Sequence, residues 1–267
     1  METKIIIMCG GINKRFTQPK HLSVINGERL VDRTIRLLKE NGATNIYISS
    51  NSPLFDSCGV PRLDHKNTYV FAKDGTNTGY WLDAFYPVEE KVIYLCGDVY
   101  FTEDAIKTIV NYKTDRNVLF GTSDAKNKYH QNWGEPFAYI VSDYKTFFKG
   151  IEEVKKLKDA GKVAREPVIW ELYRYLHGLD INVQRITEDY VCIDDGTMDV
   201  DSPKELEELK GKFEKEWLIM PFKSQAQRKW AYTKEGTKAL GGKKAVAEWE
   251  KATGNKPLPK VAPKKKK

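Results

Sequence analysis

Along the first 216 residues, short apolar runs alternate with stretches of helical period, and this alternation restricts the fold more than any other feature. Residues 4–8 (KIIIM) read as a strand, and residues 29–40 place Val31, Ile35 and Leu38 on one helical face before an Asn41-Gly42 stop. Residues 45–50 (NIYISS) and 69–72 read as the second and third strands. Residues 92–96 (VIYLC) form a buried strand, followed by a helix near 103–112. Further strands are expected at 118–120, 137–141 and 181–186, and helices at 144–158, 166–177 and 203–216. Strands alternating with helices build βαβ units, so the expected fold is α/β: a three-layer, doubly wound, mostly parallel sheet covered on both faces. Such sheets bind ligands at the carboxyl ends of their strands, near the switch in strand order.

Charge divides the chain. Residues 219–267 hold 14 Lys and Arg against 3 Glu, whereas residues 1–218 hold 30 cations against 34 anions. The overall charge of +7 therefore belongs to a C-terminal appendage. The expected organisation is a main domain over 1–218, a small basic helical segment over 219–254, and a disordered Pro/Lys tail over 255–267. No run of about 18 apolar residues exists, so no membrane partner is expected. The N-terminus lacks the basic region and cleavage site of a leader, which makes the cytoplasm the expected location. Four cysteines, none spaced as a zinc or redox motif, read as buried reduced thiols. His21, His65, His130 and His177 are too scattered to suggest a histidine metal site.

The stretch IIIMCGGINKRFTQPKHL (residues 5–22) carries the first chemistry. Gly10 and Gly11 let backbone N–H groups approach a phosphate closely, because no Cβ intervenes. Arg15 can fork onto phosphate oxygens, and Lys20 can serve as a mobile point charge. The stretch has neither the GxxxxGK[ST] nor the GxGxxG pattern. Downstream, the strand at 92–96 ends in Gly97-Asp98, which puts a carboxylate at a strand's carboxyl end. Later still, Asp199-Val200-Asp201-Ser202-Pro203 joins two carboxylates to a helix start, with Ser202 as cap and Pro203 at the first helical position.

Read whole, a strand, then GGxxxRF, then Pro19-Lys20-x-Leu22, resembles the signature of the nucleotidyltransferases with a GT-A-like, Rossmann-type domain. That superfamily includes sugar-1-phosphate nucleotidylyltransferases, phosphocholine cytidylyltransferases and molybdenum-cofactor guanylyltransferase. The resemblance spans residues 4–210 and implies a Mg²⁺-dependent enzyme. It would join an NMP from an NTP to a phosphorylated small molecule, a sugar-1-phosphate or a phosphocholine-like acceptor, and release pyrophosphate. It further implies that Cys9, Gly10, Gly11, Asn13, Arg15 and Lys20 line the nucleotide. Arg15 would neutralise the leaving pyrophosphate, and Lys20 would contact the reacting phosphate. Asn13 stands where many relatives have glycine; Asn is the next most tolerant of a left-handed backbone. Asp98 would hold Mg²⁺, a hard cation suited to carboxylate oxygens. Asp201 would complete the site, with Asp199 as the alternative and Asp194 and Asp195 ranked below. Asn77 and Thr78 correspond to a turn that touches nucleobase or ribose, and Trp133 and Glu135 fall where relatives place acceptor loops.

Two other readings compete. A GT-A glycosyltransferase would use an NDP-sugar, but such enzymes carry Asp-x-Asp after the mid-chain strand, where this chain has Gly97-Asp98-Val99-Tyr100. A nucleic-acid or protein-binding role would act through the basic C-terminal segment, where Lys223, Arg228 and Lys229 adjoin Trp230. The stretch MPFKSQAQRKW there also resembles a short module of tailed-bacteriophage proteins, which would make the location a host cytoplasm.

Overall fold

The computed structural model describes residues 3–10, 15–66, 81–122, 134–183, 185–217, 222–240, 242–254 and 257–261. Gly11, Asn13, Asn77, Thr78, Trp133 and the strand expected at 69–72 lie outside these residues. The chain divides into two compact units, residues 1–203 and 204–267. The division falls after the first residue of the helix Pro203–Trp217, whereas charge and composition alone put a boundary at 218.

The first unit begins with β1 (Lys4–Met8), then a small hairpin of β2 (Val24–Ile25) and β3 (Glu28–Arg29), then α1 (Leu30–Glu40). Asn26 and Gly27 both have positive φ (53° and 80°), the conformation of the two-residue turn whose twist matches its strands. Next come β4 (Ile46–Ser49), β5 (Arg62–Leu63), β6 (Val92–Cys96), β7 (Val99–Tyr100) and α2 (Glu103–Asn111). The unit continues through β8 (Val118–Gly121), β9 (Pro136–Val141), α3 (Tyr144–Asp159), α4 (Ile169–Leu176), β10 (Tyr190–Cys192) and β11 (Met198–Asp199).

Among the described residues, seven strands form one sheet in the order β10-β8-β9-β6-β1-β4-β5. The β1–β4, β1–β6, β4–β5 and β8–β10 pairs are parallel, and β9 runs antiparallel to both of its neighbours. With helices on both faces, strands inside the sheet are buried on both sides, which is why β1 reads as an unbroken Ile5-Ile6-Ile7 run. A second, two-stranded sheet pairs β7 with β11, putting Val99 opposite Asp199 and Tyr100 opposite Met198.

Among the described residues of 181–186 no strand forms. Asp180 starts a turn there, its carboxylate accepting from Asn182 N (2.9 Å) and its carbonyl from Val183 N (3.2 Å). The place beside β8 goes to Tyr190–Cys192, and Val183 and Ile186 are exposed. Cys9, Cys58 and Cys96 are buried free thiols as expected, but Cys192, on the two-faced edge strand β10, is exposed.

The second unit holds α5 (Pro203–Trp217) from its second residue onward, α6 (Gln225–Ala231), α7 (Lys234–Ala239) and α8 (Lys243–Thr253). Phe222, Ala231, Val246 and Trp249 form a small core of its own, with Leu240 and Leu258 packed against it. Within the stretch expected as a tail, Leu258, Pro259 and Lys260 accept hydrogen bonds from Gln225 and Ala226. Gln225 N donates to Pro259 O (2.9 Å) and Ala226 N to Lys260 O (3.2 Å), which occupies two donors that a helix N-terminus leaves without intrahelical partners. Among the described residues no helix is long and apolar enough to cross a membrane.

Candidate active site

The site forms where β1 and β6 end side by side. The Gly97 N–H donates to Met8 O (2.9 Å), so the turn after β6 folds against the end of β1. A Cβ on Gly97 would lie 2.5 Å from Cys9 Sγ, 2.6 Å from Met8 O and 3.0 Å from His21 Cδ2. Only glycine lets the chain pass at this separation, and Asp98 follows at once. Cys9 is buried, so its side chain is a spacer beneath the turn, not a group presented to a ligand.

Lys20 approaches from a single 3-10 turn (Lys20–Leu22) entered through Pro19. His21 and Leu22 are buried and anchor that turn, which leaves Lys20 directed at the strand ends. Its Nζ lies 2.7 Å from Asp98 Oδ2 and 2.5 Å from Asp201 Oδ1. Burial pulls the Lys20 pKa down, but the two carboxylates outweigh it and hold the ammonium charged well above the ordinary lysine value. Asp98 responds in the opposite sense: burial raises its pKa, and Lys20 more than reverses this, so the carboxylate stays ionised. His21 is pushed down to about 4 by burial, with Lys20 adding to the effect and Asp98 opposing it. It is a neutral ring wedged under Gly97, edge-on to Phe55.

Asp201 reaches Lys20 because β11 is fastened to β7. Val200 N donates to Asp98 O (2.9 Å), which brings the two carboxylate-bearing segments together. The turn before β11 is tied to the start of α2. Asp195 accepts from Thr197 N (2.7 Å) and from Thr102 Oγ1 (2.5 Å), and Thr102, the cap of α2, donates its N–H to Thr197 Oγ1 (3.1 Å). Asp195 thus serves as a brace. Arg15, exposed, donates from Nη1 to the Asp201 carbonyl at 3.3 Å.

Of the two late carboxylates, Asp201 is the one that meets Lys20 and Asp98. Asp199, paired opposite Val99, is held protonated near neutrality. Burial raises its pKa to about 9, with Glu135, Asp201 and Asp98 adding to the rise and Lys20 opposing it. Glu135, just ahead of β9, therefore belongs to the same acidic group. Sequence alone showed neither the Glu135–Asp199 proximity nor the roles of His21, Thr102 and Thr197, which depend on contacts between segments far apart in the chain.

Asp98 and Asp201 present hard oxygen donors converging on one cationic position, which fits Mg²⁺. Among the described residues no three His, Cys, Asp or Glu side chains gather closely enough to hold an ion by themselves. A divalent ion here would draw its remaining ligands from water and substrate phosphates, as Mg²⁺ commonly does.

The chain matches the MobA-like NTP transferase domain over residues 5–170, more than half its length. It belongs to that family. This nucleotidyltransferase also resembles solved structures of similar shape. A candidate glucose-1-phosphate thymidylyltransferase from Bacillus anthracis, solved with sucrose, is 16% identical, with 79% of this chain and 94% of that one covered and a TM-score of 0.51. A CTP:phosphocholine cytidylyltransferase from Streptococcus pneumoniae is 16% identical over 80% of this chain and 100% of its own, with a TM-score of 0.45. The inositol-1-phosphate CTP transferase from T. maritima is 14% identical over 80% and 96%, with a TM-score of 0.47. At such identities the likeness speaks to the fold, and the first of the three carries it. No curated protein matches the chain.

Proposed function

We propose that this nucleotidyltransferase joins an NMP from an NTP to a phosphorylated small molecule, a sugar-1-phosphate or phosphocholine-like acceptor, with Mg²⁺ as cofactor. The supporting observation is the meeting of Lys20, Asp98 and Asp201 at the carboxyl ends of β1 and β6, with Arg15 alongside. An acceptor phosphate oxygen forms a bond to the α-phosphorus, the bond from that phosphorus to the bridging oxygen breaks, and pyrophosphate leaves. Asp98 and Asp201 would hold the metal, which when bound neutralises phosphate charge and polarises the reacting phosphorus. Lys20, charged and within reach of both carboxylates, moves its ammonium onto the α-phosphate as the nucleotide enters. Arg15, exposed and forked, meets the departing pyrophosphate. Gly10 and Gly11 admit the phosphates to the backbone.

The test is a pyrophosphate-release screen of four NTPs against sugar, choline and polyol phosphates, with and without a chelator. One pairing should turn over, stop with the chelator and recover with Mg²⁺. Asp98→Asn should cost about 3 kcal/mol of barrier, roughly a hundredfold in rate. Near-normal release by that variant would remove the metal assignment.

A second reading concerns residues 204–267 and rests on a different observation. Trp230 and Tyr232 are exposed (45% and 60%), among lysines that are also exposed. Lys223, Lys229, Lys234 and Lys238 have no carboxylate partner among the described residues. We propose that this unit binds single-stranded nucleic acid, its lysines against phosphates and its rings against bases.

A further inference from the structure

Three strands end together at one edge of the sheet: β1 at Cys9-Gly10, β4 at Ser49, and β5 just before Asp64-His65. His65 is buried and lies against the end of β4, with its Nδ1 2.9 Å from the Oγ of Ser49, which is also buried. The far edge of the same ring faces Gly10. A Cβ built on Gly10 would fall 2.8 Å from His65 Cε1 and 3.1 Å from Nε2, and 3.3 Å from Ala84 Cβ. Gly10 has no side chain because an imidazole edge fills that space.

Burial favours the neutral ring, lowering its pKa below the ordinary histidine value, and Asp83 and Asp64 only partly oppose this. A neutral imidazole has one donor nitrogen and one acceptor, and the bond made at Nδ1 decides which is which. In the tautomer in which the Ser49 hydroxyl donates to Nδ1, the proton resides on Nε2, the nitrogen beside Gly10; in the other, Nδ1 donates to Ser49 and Nε2 is an acceptor. The oxygens of an NTP accept hydrogen bonds, so the first tautomer is the one that suits them. Nε2 has no hydrogen-bond partner among the described residues. An imidazole nitrogen held in place by Ser49 thus stands at the carboxyl end of β1, on the edge where a doubly wound sheet takes its ligand.

We propose that His65 is a nucleotide-binding residue: its Nε2–H, oriented by Ser49, donates to an oxygen of the NTP seated at Gly10. This rests on the NTP reading above and adds a contact that no motif marks, since His65 stands alone between Asp64 and Lys66.

The test uses the full chain with His65→Asn and His65→Gln, measuring NTP affinity by calorimetry without acceptor, and KM and kcat with it. Asn can satisfy Ser49 but cannot reach the Nε2 position, whereas the Gln amide can. His65→Asn should weaken NTP binding about tenfold and raise KM more than it lowers kcat, and His65→Gln should recover most of the loss. Ser49→Ala, which removes only the orienting hydroxyl, should show a smaller loss of the same kind, so the result does not depend on one variant folding. Tripolyphosphate identifies the oxygen: its binding weakens in His65→Asn if a phosphate is contacted and is unchanged if a ribose hydroxyl is, and either result is compatible with the assignment. Equal NTP affinity in wild type and variants, or rescue by Asn but not Gln, overturns it. A wild type that binds no NTP overturns the functional reading first, and this one with it.

Discussion

At Gly97 the backbone passes so close to Cys9 Sγ and Met8 O that one added carbon must displace one of them, and the carbonyl is fixed in the sheet. Gly97→Ala should therefore destabilise the protein by about 1–3 kcal/mol, the usual range for overpacking a tight interior. It should also lower turnover, because Asp98 is the next residue. Gly196→Ala is the matched control: its Cβ would meet only Thr102 Cγ2, at an ordinary 3.5 Å, and stability should stay within about 0.5 kcal/mol. Denaturant melts of the two variants decide the point, and equal midpoints would refute it. Sequence made the Gly97-Asp98 pair visible as a strand end with a carboxylate. It could not supply the reason for the glycine, because Cys9 and His21 lie more than seventy residues away and are brought there by the pairing of β1 with β6. His65 shows the same limit: nothing near it in the chain marks it, and only the adjacent ends of β1, β4 and β5 give it a partner in Ser49 and an edge against Gly10.

Long elements announced themselves by period, and two-residue strands did not. α1, α2 and α3 follow their apolar spacing to within a residue or two, and β1 and β6 match their apolar runs. β7 and β11 are too short for any period to register, yet their pairing places Asp201 beside Lys20. The brace on that pairing is Asp195, which binds Thr197 in its own turn and Thr102 at the cap of α2. Asp195→Ala removes both bonds while touching neither Lys20 nor Asp98. The variant should keep most of its thermal stability, since Asp195 is exposed, but lose about tenfold in kcat as Asp201 becomes less firmly placed. A kcat unchanged beside an unchanged melt would show that the β7–β11 pairing holds without its brace. The missed edge strand has a related cause. Residues 181–186 have strand-like composition, but the Asp180 turn captures 181–183, and a local side-chain bond of that kind competes directly with sheet pairing.

For the whole molecule, the alternation of strands and helices sufficed to indicate a doubly wound sheet, because few folds bury so many short apolar runs. The charge split likewise marked the C-terminal region as different before any contact was known, and that region proves to have a core of its own. The net charge of +11 over residues 219–267 is the observation behind the proposed nucleic-acid contact. Charge alone would suit any polyanion; the exposed Trp230 and Tyr232 narrow the choice, because a base offers a face to stack on and a sulfated sugar does not. Fluorescence anisotropy of the full chain with a labelled oligothymidylate tests this. If about four phosphates are engaged, log K should fall with log salt at a slope near −3. Trp230→Ala should cost about 1–3 kcal/mol with the slope unchanged, because it removes stacking and no charge. Lys229→Ala should do the reverse, flattening the slope by about 0.7 with a modest loss at low salt. Heparin bound as tightly as the oligonucleotide, with no effect of Trp230→Ala, would reduce the surface to unspecific charge, and no binding at 50 mM salt would eliminate it.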